Sequence, residues 1–450
     1  MDPEVWWREF NDLAEELLQS SNFEVQAIGV SGMGPCVAIA DENGRSLRPA
    51  ILYGVDARAV HEIEALTARF GAEAILERGG SALTTQAVGP KLAWLATHEP
   101  EAMTRARMLL MPASWLVFRL TGTYTMDYHS ASQCSPLFDR HDLDWHRPWA
   151  TAIAPDLPLP ALSWAGDVVG YTRGDVPNLG PGIPVVAGTI DAWTEALSVG
   201  AHSPGDLMLM YGTTMFLIAT VDQPVTTPSM WGTVGAIEGT RNLAGGLATS
   251  GAITAWLRNL TGSDFPTLLA EADAAGPRAN GLLVLPYFAG ERTPIMDPHA
   301  RGAVVGLTLS HTRGDLYRAT LEATALAVRH NLEAMAAVGV KPRRIVAVGG
   351  GTEGHLWMQI VSDVLQLPQI LPTTTVGASY GAAWLAANAL APVSIDSWNP
   401  VSELVVPDAD LAVVYDDLYA LYRKLQLAVS DVSHALANYQ AARSHPIGTP

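Results

Sequence analysis

The chain is poor in cysteine. Cys36 and Cys134 are its only two, far apart in 450 residues and in no ligand-like spacing. A disulfide framework and a zinc site are therefore excluded. Lysine and arginine form no run, and the formal net charge is −18. Nucleic acids and anionic membranes are held by basic patches, so neither is expected as a partner. Long apolar runs are absent as well. The best stretch, Gly381–Leu390, is Ala-rich and too short to span a bilayer. The opening MDPEVWWREF is neither basic nor apolar in the manner of a secretory leader. A cytoplasmic protein is the expectation. No G-x-x-x-x-G-K-[ST] occurs, which excludes a P-loop nucleotide site.

What is present suits a packed globular protein. Hydrophobic residues make up 48% and charged residues 16% of the chain, and its length suits two sizeable α/β domains. Asp2, Pro3 and Glu4 form a helix start, followed at helical spacing by Trp6, Phe10, Leu13 and Leu17. Val25–Val30 and Cys36–Ala40 read as strands around the small-residue turn SGMGP, and Asp41–Gly44 as a hairpin turn. Helices are predicted near Val60–Phe70, Lys91–Thr97 and Pro112–Leu120. Pro- and Gly-rich text from Ala154 to Pro184 marks a boundary, giving domains 1–183 and 184–440 and a tail 441–450 expected to be disordered. The second domain alternates strands and helices, from Val185–Thr189 to about Leu390. A closing helix is predicted over Asp416–Leu436.

Five segments carry chemistry. In AGTIDAWTEA a strand ends at Asp191 just before a helix. A carboxylate there can take a proton from an attacking hydroxyl and bind Mg²⁺, or it can simply cap the helix. YGTTMF offers Gly212, Thr213 and Thr214 as a hairpin turn with donors for a phosphate, or as an ordinary turn. RIVAVGGGTEG empties a buried strand into Gly349, Gly350 and Gly351 ahead of a helix. Glycines permit close backbone approach and the helix start adds donors, so this is either a nucleotide site, although the spacing is not G-x-G-x-x-G, or a tight strand–helix turn with no ligand. LYGVDAR places Asp56 and Arg58 beside a strand end, suited to polyol hydroxyls or to a surface ion pair. GERTPIMDP brings Glu291 and Arg292 out of a strand, read as a structural ion pair with no catalytic role.

In this order the segments resemble the FGGY carbohydrate kinase family, within the sugar kinase/actin/chaperone ATPase superfamily. The most specific match is GAVVGLTLSHTRGDLYRATLE, where Gly302, Val304, Gly306, Leu307, Asp315, Leu316, Ala319, Thr320, Leu321 and Glu322 fit the family's second signature. PKLAWL is similar to the core of the first signature. FRLTGTYTMDYHSASQCSPLFD looks like the family's LTG…D…AS…LFD segment. The resemblance implies two actin-like/ribonuclease H-like domains with an interdomain cleft. It implies ATP-dependent phosphorylation of a sugar or polyol hydroxyl, most like the xylulokinase branch, with a ketopentose such as xylulose favoured. Asp191 would be the general base and a Mg²⁺ ligand. Gly212, Thr213, Thr214, Ser250, Gly251, Gly349, Gly350 and Gly351 would hold ATP. Met33, Asp56, Arg58 and Asp127 match sugar-side positions. A homodimer is the default assembly.

Three departures stand out. The family opens with a strand–turn–strand carrying Asp-x-Gly-Thr, whereas this chain opens at DPEVWW, so its first domain is expected to be truncated at the start. Two readings follow: the start is misassigned, or the product is a catalytically impaired kinase-like protein that binds sugar or nucleotide. Tyr53 stands where relatives often have Trp, and TEGHLW follows the triple glycine where they often have Ser or Lys.

Overall fold

The computed structural model describes residues 1–20, 23–54 and 56–444. Two compact units emerge, neither continuous in sequence. The first comprises Met1–Pro204, Thr220–Leu243 and Thr374–Pro400. The second comprises Gly205–Ala219, Ala244–Thr373 and Val401–Pro450, described to residue 444.

In the first unit, helix α1 (Pro3–Gln19) starts as its sequence predicts. The Asp2 carboxylate accepts from the Glu4 N–H at 3.1 Å, with Pro3 at the first helical position. Its inward face differs from the predicted one. Trp7, Phe10, Ala14 and Leu18 pack against Val30, Val117, Leu120 and Val185, while Leu13 and Leu17 are about 60% exposed (60% and 59%). The apolar stripe is broad enough for either edge to face inward. Trp6 is drawn to a separate cluster around Trp115 and Phe118, which sets the rotation.

Strand β1 covers only Ser31–Gly32. The predicted strand Val25–Val30 reduces to one bridge, Ile28 to Val185. Next to it, a side chain on Gly29 would strike the Ala382 carbonyl, so the helix that carries Ala382 packs directly on this backbone. Helices α2 (Val88–His98) and α3 (Pro112–Thr121) follow. Strand β2 (Thr189–Ile190) pairs in parallel with β1, Ser31 beside Thr189 and Gly32 beside Ile190. It feeds directly into helix α4 (Asp191–Ser198). The helix Ala378–Leu390 lies against α4 so closely that Gly381 has no room for a β-carbon beside the Thr194 carbonyl.

The second unit is built on a mixed sheet. Strands β3 (Asp206–Tyr211) and β4 (Met215–Val221) form an antiparallel hairpin. Strand β5 (Arg241–Leu247) leads to helix α5 (Gly251–Thr261). The long, largely buried helix α6 (Arg313–Ala337) begins with a capping box between Thr312 and Asp315. Strand β6 (Arg344–Val348), helix α7 (His355–Leu365), and strands β7 (Gln369–Pro372) and β8 (Val401–Val405) complete it. In this seven-stranded sheet the named strands run in the order β5-β4-β3-β6-β7-β8, with β3, β6 and β7 parallel. The closing helix predicted over Asp416–Leu436 is two helices, Ala412–Ala428 and Ser430–Ser444, broken at Val429. Residues 441–444 of the predicted tail continue the second of these, and the rest lies outside the described residues. Among the described residues no helix is long and apolar enough to cross a membrane.

Candidate active site

In the first unit, two of the expected site residues lie at the end of the β1–β2 pair. Because the two strands are parallel and in register, Met33 and Asp191 are the residues that leave them at the same carboxyl edge. Ligands of α/β proteins sit at such edges. Asp191 is the first residue of α4 and Ile190 holds the cap position, so the carboxylate is not consumed as an N-cap. Its Oδ1 accepts from the Ala192 N–H at 2.8 Å. Burial raises the proton affinity of Asp191, and the Ala192 N–H only partly opposes this. Glu195, one helical turn on, is raised by burial and then by the charge of Asp191.

Asp127 is 3% exposed. Its Oδ2 accepts from the Ser130 N–H at 3.0 Å and from the Thr189 hydroxyl at 2.7 Å. Burial pushes its carboxyl up to about 6. The structure therefore ties Asp127 to the strand that delivers Asp191. Asp56 and Arg58 form a two-pronged pair at 2.8 and 2.7 Å, and Arg58 lies 4.8 Å over the Trp94 ring. Both side chains keep solvent contact. Beneath that turn lies a residue to which sequence reasoning gave no role. Lys91 is buried, donates to the Leu52 carbonyl at 3.1 Å, and is lowered by burial to about 8. A lone lysine inside the apolar VGPKLAWL was the available signal.

The second unit joins its own set by backbone hydrogen bonds. Gly212 N–H closes the β3–β4 turn on the Thr214 carbonyl at 3.1 Å. Ser250 and Ala252 donate to the Thr213 carbonyl, and Gly251 donates to the Gly212 carbonyl at 2.9 Å. A β-carbon on Gly251 would sit 2.7 Å from that Gly212 oxygen. Gly212–Thr214 and the start of α5 are thus one structure. Gly349, at φ +96°, is pressed against Tyr211, the residue just before Gly212, and Gly351 packs on Tyr211 and Trp357. Gly350 faces open space. Tyr211 is itself fixed, donating to Gln369 at 2.6 Å. The result is a concentration of backbone around a helix N-terminus, the arrangement that binds phosphates. Glu291 is not the predicted ion pair with Arg292. Its Oε1 accepts from the backbone N–H groups of Ala248 and Arg292, both at 2.7 Å.

The N-terminal domain model of the FGGY family of carbohydrate kinases matches residues 1–198, and the C-terminal domain model matches residues 207–390. This chain belongs to the FGGY family of carbohydrate kinases. It is similar to the xylulose kinase of Escherichia coli (strain K12), 30% identical over 439 residues, covering 94% of this chain and 89% of that protein. It is also similar to the glycerol kinase of Thermococcus kodakarensis, 28% identical, covering 90% and 82% of the two chains. The crystal structure of xylulose kinase from Rhodospirillum rubrum superposes with a TM-score of 0.90 at 31% identity, covering 96% of this chain and 91% of that one.

As an FGGY kinase the chain is an ATP-dependent phosphotransferase acting on a carbohydrate hydroxyl. Its fold is the two-domain actin-like/ribonuclease H-like fold of the family, as the resemblance implied.

Proposed function

We propose that this FGGY kinase phosphorylates a ketopentose, D-xylulose favoured, with Asp191 as general base and Mg²⁺-ATP as donor. The observation that carries the role of Asp191 is its placement. It is a partly buried carboxylate at the carboxyl end of a parallel strand pair, with no ion-pair partner among the described residues. The choice of sugar is supported by the two xylulose kinases at 30% and 31% identity, aligned over nearly the whole chain.

The sugar hydroxyl loses its proton to a carboxylate oxygen of Asp191 as its oxygen bonds to the terminal phosphorus. The bond from that phosphorus to the bridging oxygen breaks, and ADP leaves. Burial raises the proton affinity of Asp191, which suits a base, and positioned proton transfer contributes about 10²–10⁴-fold. Asp127, through Thr189, holds the strand that sets this carboxylate. Asp56, Arg58 and Met33 orient the sugar, and Lys91 holds the turn that carries the first two. Thr213 and Thr214 offer backbone and hydroxyl donors to the polyphosphate, in a turn whose shape Gly212, Ser250 and Gly251 fix through their own N–H bonds, and Gly349–Gly351 receive the nucleoside. Mg²⁺, when bound, neutralises phosphate charge. Asp191 fits as one oxygen ligand, because this ion is commonly held by one or two carboxylates plus phosphates and water. Among the described residues no cluster of three acidic, His or Cys side chains forms a fuller cage.

The test is acceptor-dependent ADP release with D-xylulose, glycerol and gluconate in parallel. D-xylulose should give the highest kcat/KM. Calorimetric binding of sugar or nucleotide without any turnover would replace this reading with that of a kinase-like binding protein.

A further inference from the structure

The segment Gly290–Pro298 has no part in the mechanism above, yet it is built around the turn that leads into α5. Three side-chain contacts converge on residues 246–249, two of them from this segment. Glu291 Oε1 accepts from the Ala248 N–H at 2.7 Å. Thr293 Oγ1 accepts from the Gly246 N–H at 2.6 Å and donates to Asn331 on α6, also at 2.6 Å. Thr249 donates its hydroxyl to the Pro286 carbonyl at 2.6 Å. The segment is in turn braced on itself by the Glu291–Asp297 bridge. Two residues after Ala248, the Ser250 N–H bonds to the Thr213 carbonyl. The path from Glu291 to the Gly212–Thr214 turn is therefore two hydrogen bonds and a dipeptide long.

Glu291 is an expensive residue to place there. It is 5% exposed, and its second oxygen, Oε2, has no hydrogen-bond partner among the described residues. Burial pushes it up to about 8 against the two backbone N–H groups that bond Oε1. A buried carboxyl that serves only packing could be replaced by an apolar side chain without loss. One that must accept from a particular N–H could not.

We infer that Glu291 is a positioning residue for the nucleotide: by accepting from Ala248 N–H it fixes the Thr249–Gly251 turn whose backbone closes on Gly212–Thr214. This rests on the reading that those turns hold ATP. It assigns Glu291 no contact with substrate.

The test compares Glu291→Leu, which removes the acceptor, with Glu291→Gln, which keeps an acceptor oxygen at the same reach. Readouts are ADP affinity by calorimetry, the KM values for ATP and for sugar, and thermal stability. Glu291→Leu should raise the ADP Kd and the ATP KM about 10-fold, the scale of one lost hydrogen bond, with the sugar KM within about twofold. Glu291→Gln should restore both toward the parent. If Glu291→Leu does not fold, Glu291→Asp draws the carboxyl back by one methylene and should show the same split to a smaller extent. Parent-like ATP KM in a folded Glu291→Leu or Glu291→Asp overturns the inference. So does an equal rise in both KM values, or a Glu291→Gln variant as impaired as Glu291→Leu. Gly251→Val serves as control. If it binds ADP like the parent, the assignment of the nucleotide site itself fails. If it loses ADP while the Glu291 variants do not, only this inference fails.

Discussion

The two units carry their polar residues in different ways. In the second, Gly212–Thr214, Ser250–Gly251 and Gly349–Gly351 are joined through backbone bonds and the shared neighbour Tyr211. In the first, Met33, Asp56, Arg58, Asp127 and Asp191 come from separate segments, and their side chains have distinct surroundings. Asp127 is sealed in the interior, Asp56 and Arg58 face solvent as a pair, and Asp191 lies between these extremes. A site made of backbone donors depends on the absence of side chains. A site made of side chains depends on what each one bonds to. The second unit should therefore be broken by adding atoms, and the first by removing or neutralising them.

The largest effect is expected from Gly251→Val. Its β-carbon would sit 2.7 Å from the Gly212 carbonyl oxygen, so the turn must open. The ADP Kd should rise about 100-fold, roughly 3 kcal/mol, with sugar affinity unchanged, as read by calorimetry. Next comes Asp127→Ala, which leaves the Thr189 hydroxyl and the Ser130 N–H unpaired in the interior. Denaturant unfolding should show a loss of about 2–3 kcal/mol. Asp127→Asn keeps an acceptor and should cost less, and it adds a pH test. Burial raises the Asp127 carboxyl to about 6, above its unfolded value near 4. The folded state thus holds its proton longer, and the contribution of Asp127 to stability is lost as pH rises from about 4 through 6. The stability of the parent relative to Asp127→Asn should fall across that window and level off above it. The smallest effect belongs to Asp56→Asn. An exposed pair contributes under about 1 kcal/mol to stability, so unfolding should barely change. The sugar KM should rise several-fold while the ADP Kd stays put.

The same contrast governs what could be read from the sequence. Where local chemistry decides, prediction and structure agree: Asp2 and Pro3 start α1, and Val60–Phe70 is a helix with those bounds. The glycine turns of the second unit were legible because glycine announces close backbone approach wherever the chain folds. The surroundings of Asp127 were not, since its partner Thr189 is 62 residues away. Lys91 was marked only by its apolar neighbours and Glu291 by nothing, because a charged letter does not say whether the fold will bury it. The break at Val429 carries no Gly or Pro to mark it. The rotation of α1 was lost because its apolar stripe is wider than the face it buries.

The most direct test of the account is Asp191→Asn, assayed for D-xylulose-dependent ADP release alongside ADP affinity. Asparagine keeps the shape and the acceptor for the Ala192 N–H but cannot take up the proton. Turnover should fall about 10²–10⁴-fold while ADP binds as in the parent. Turnover equal to that of the parent would contradict the account.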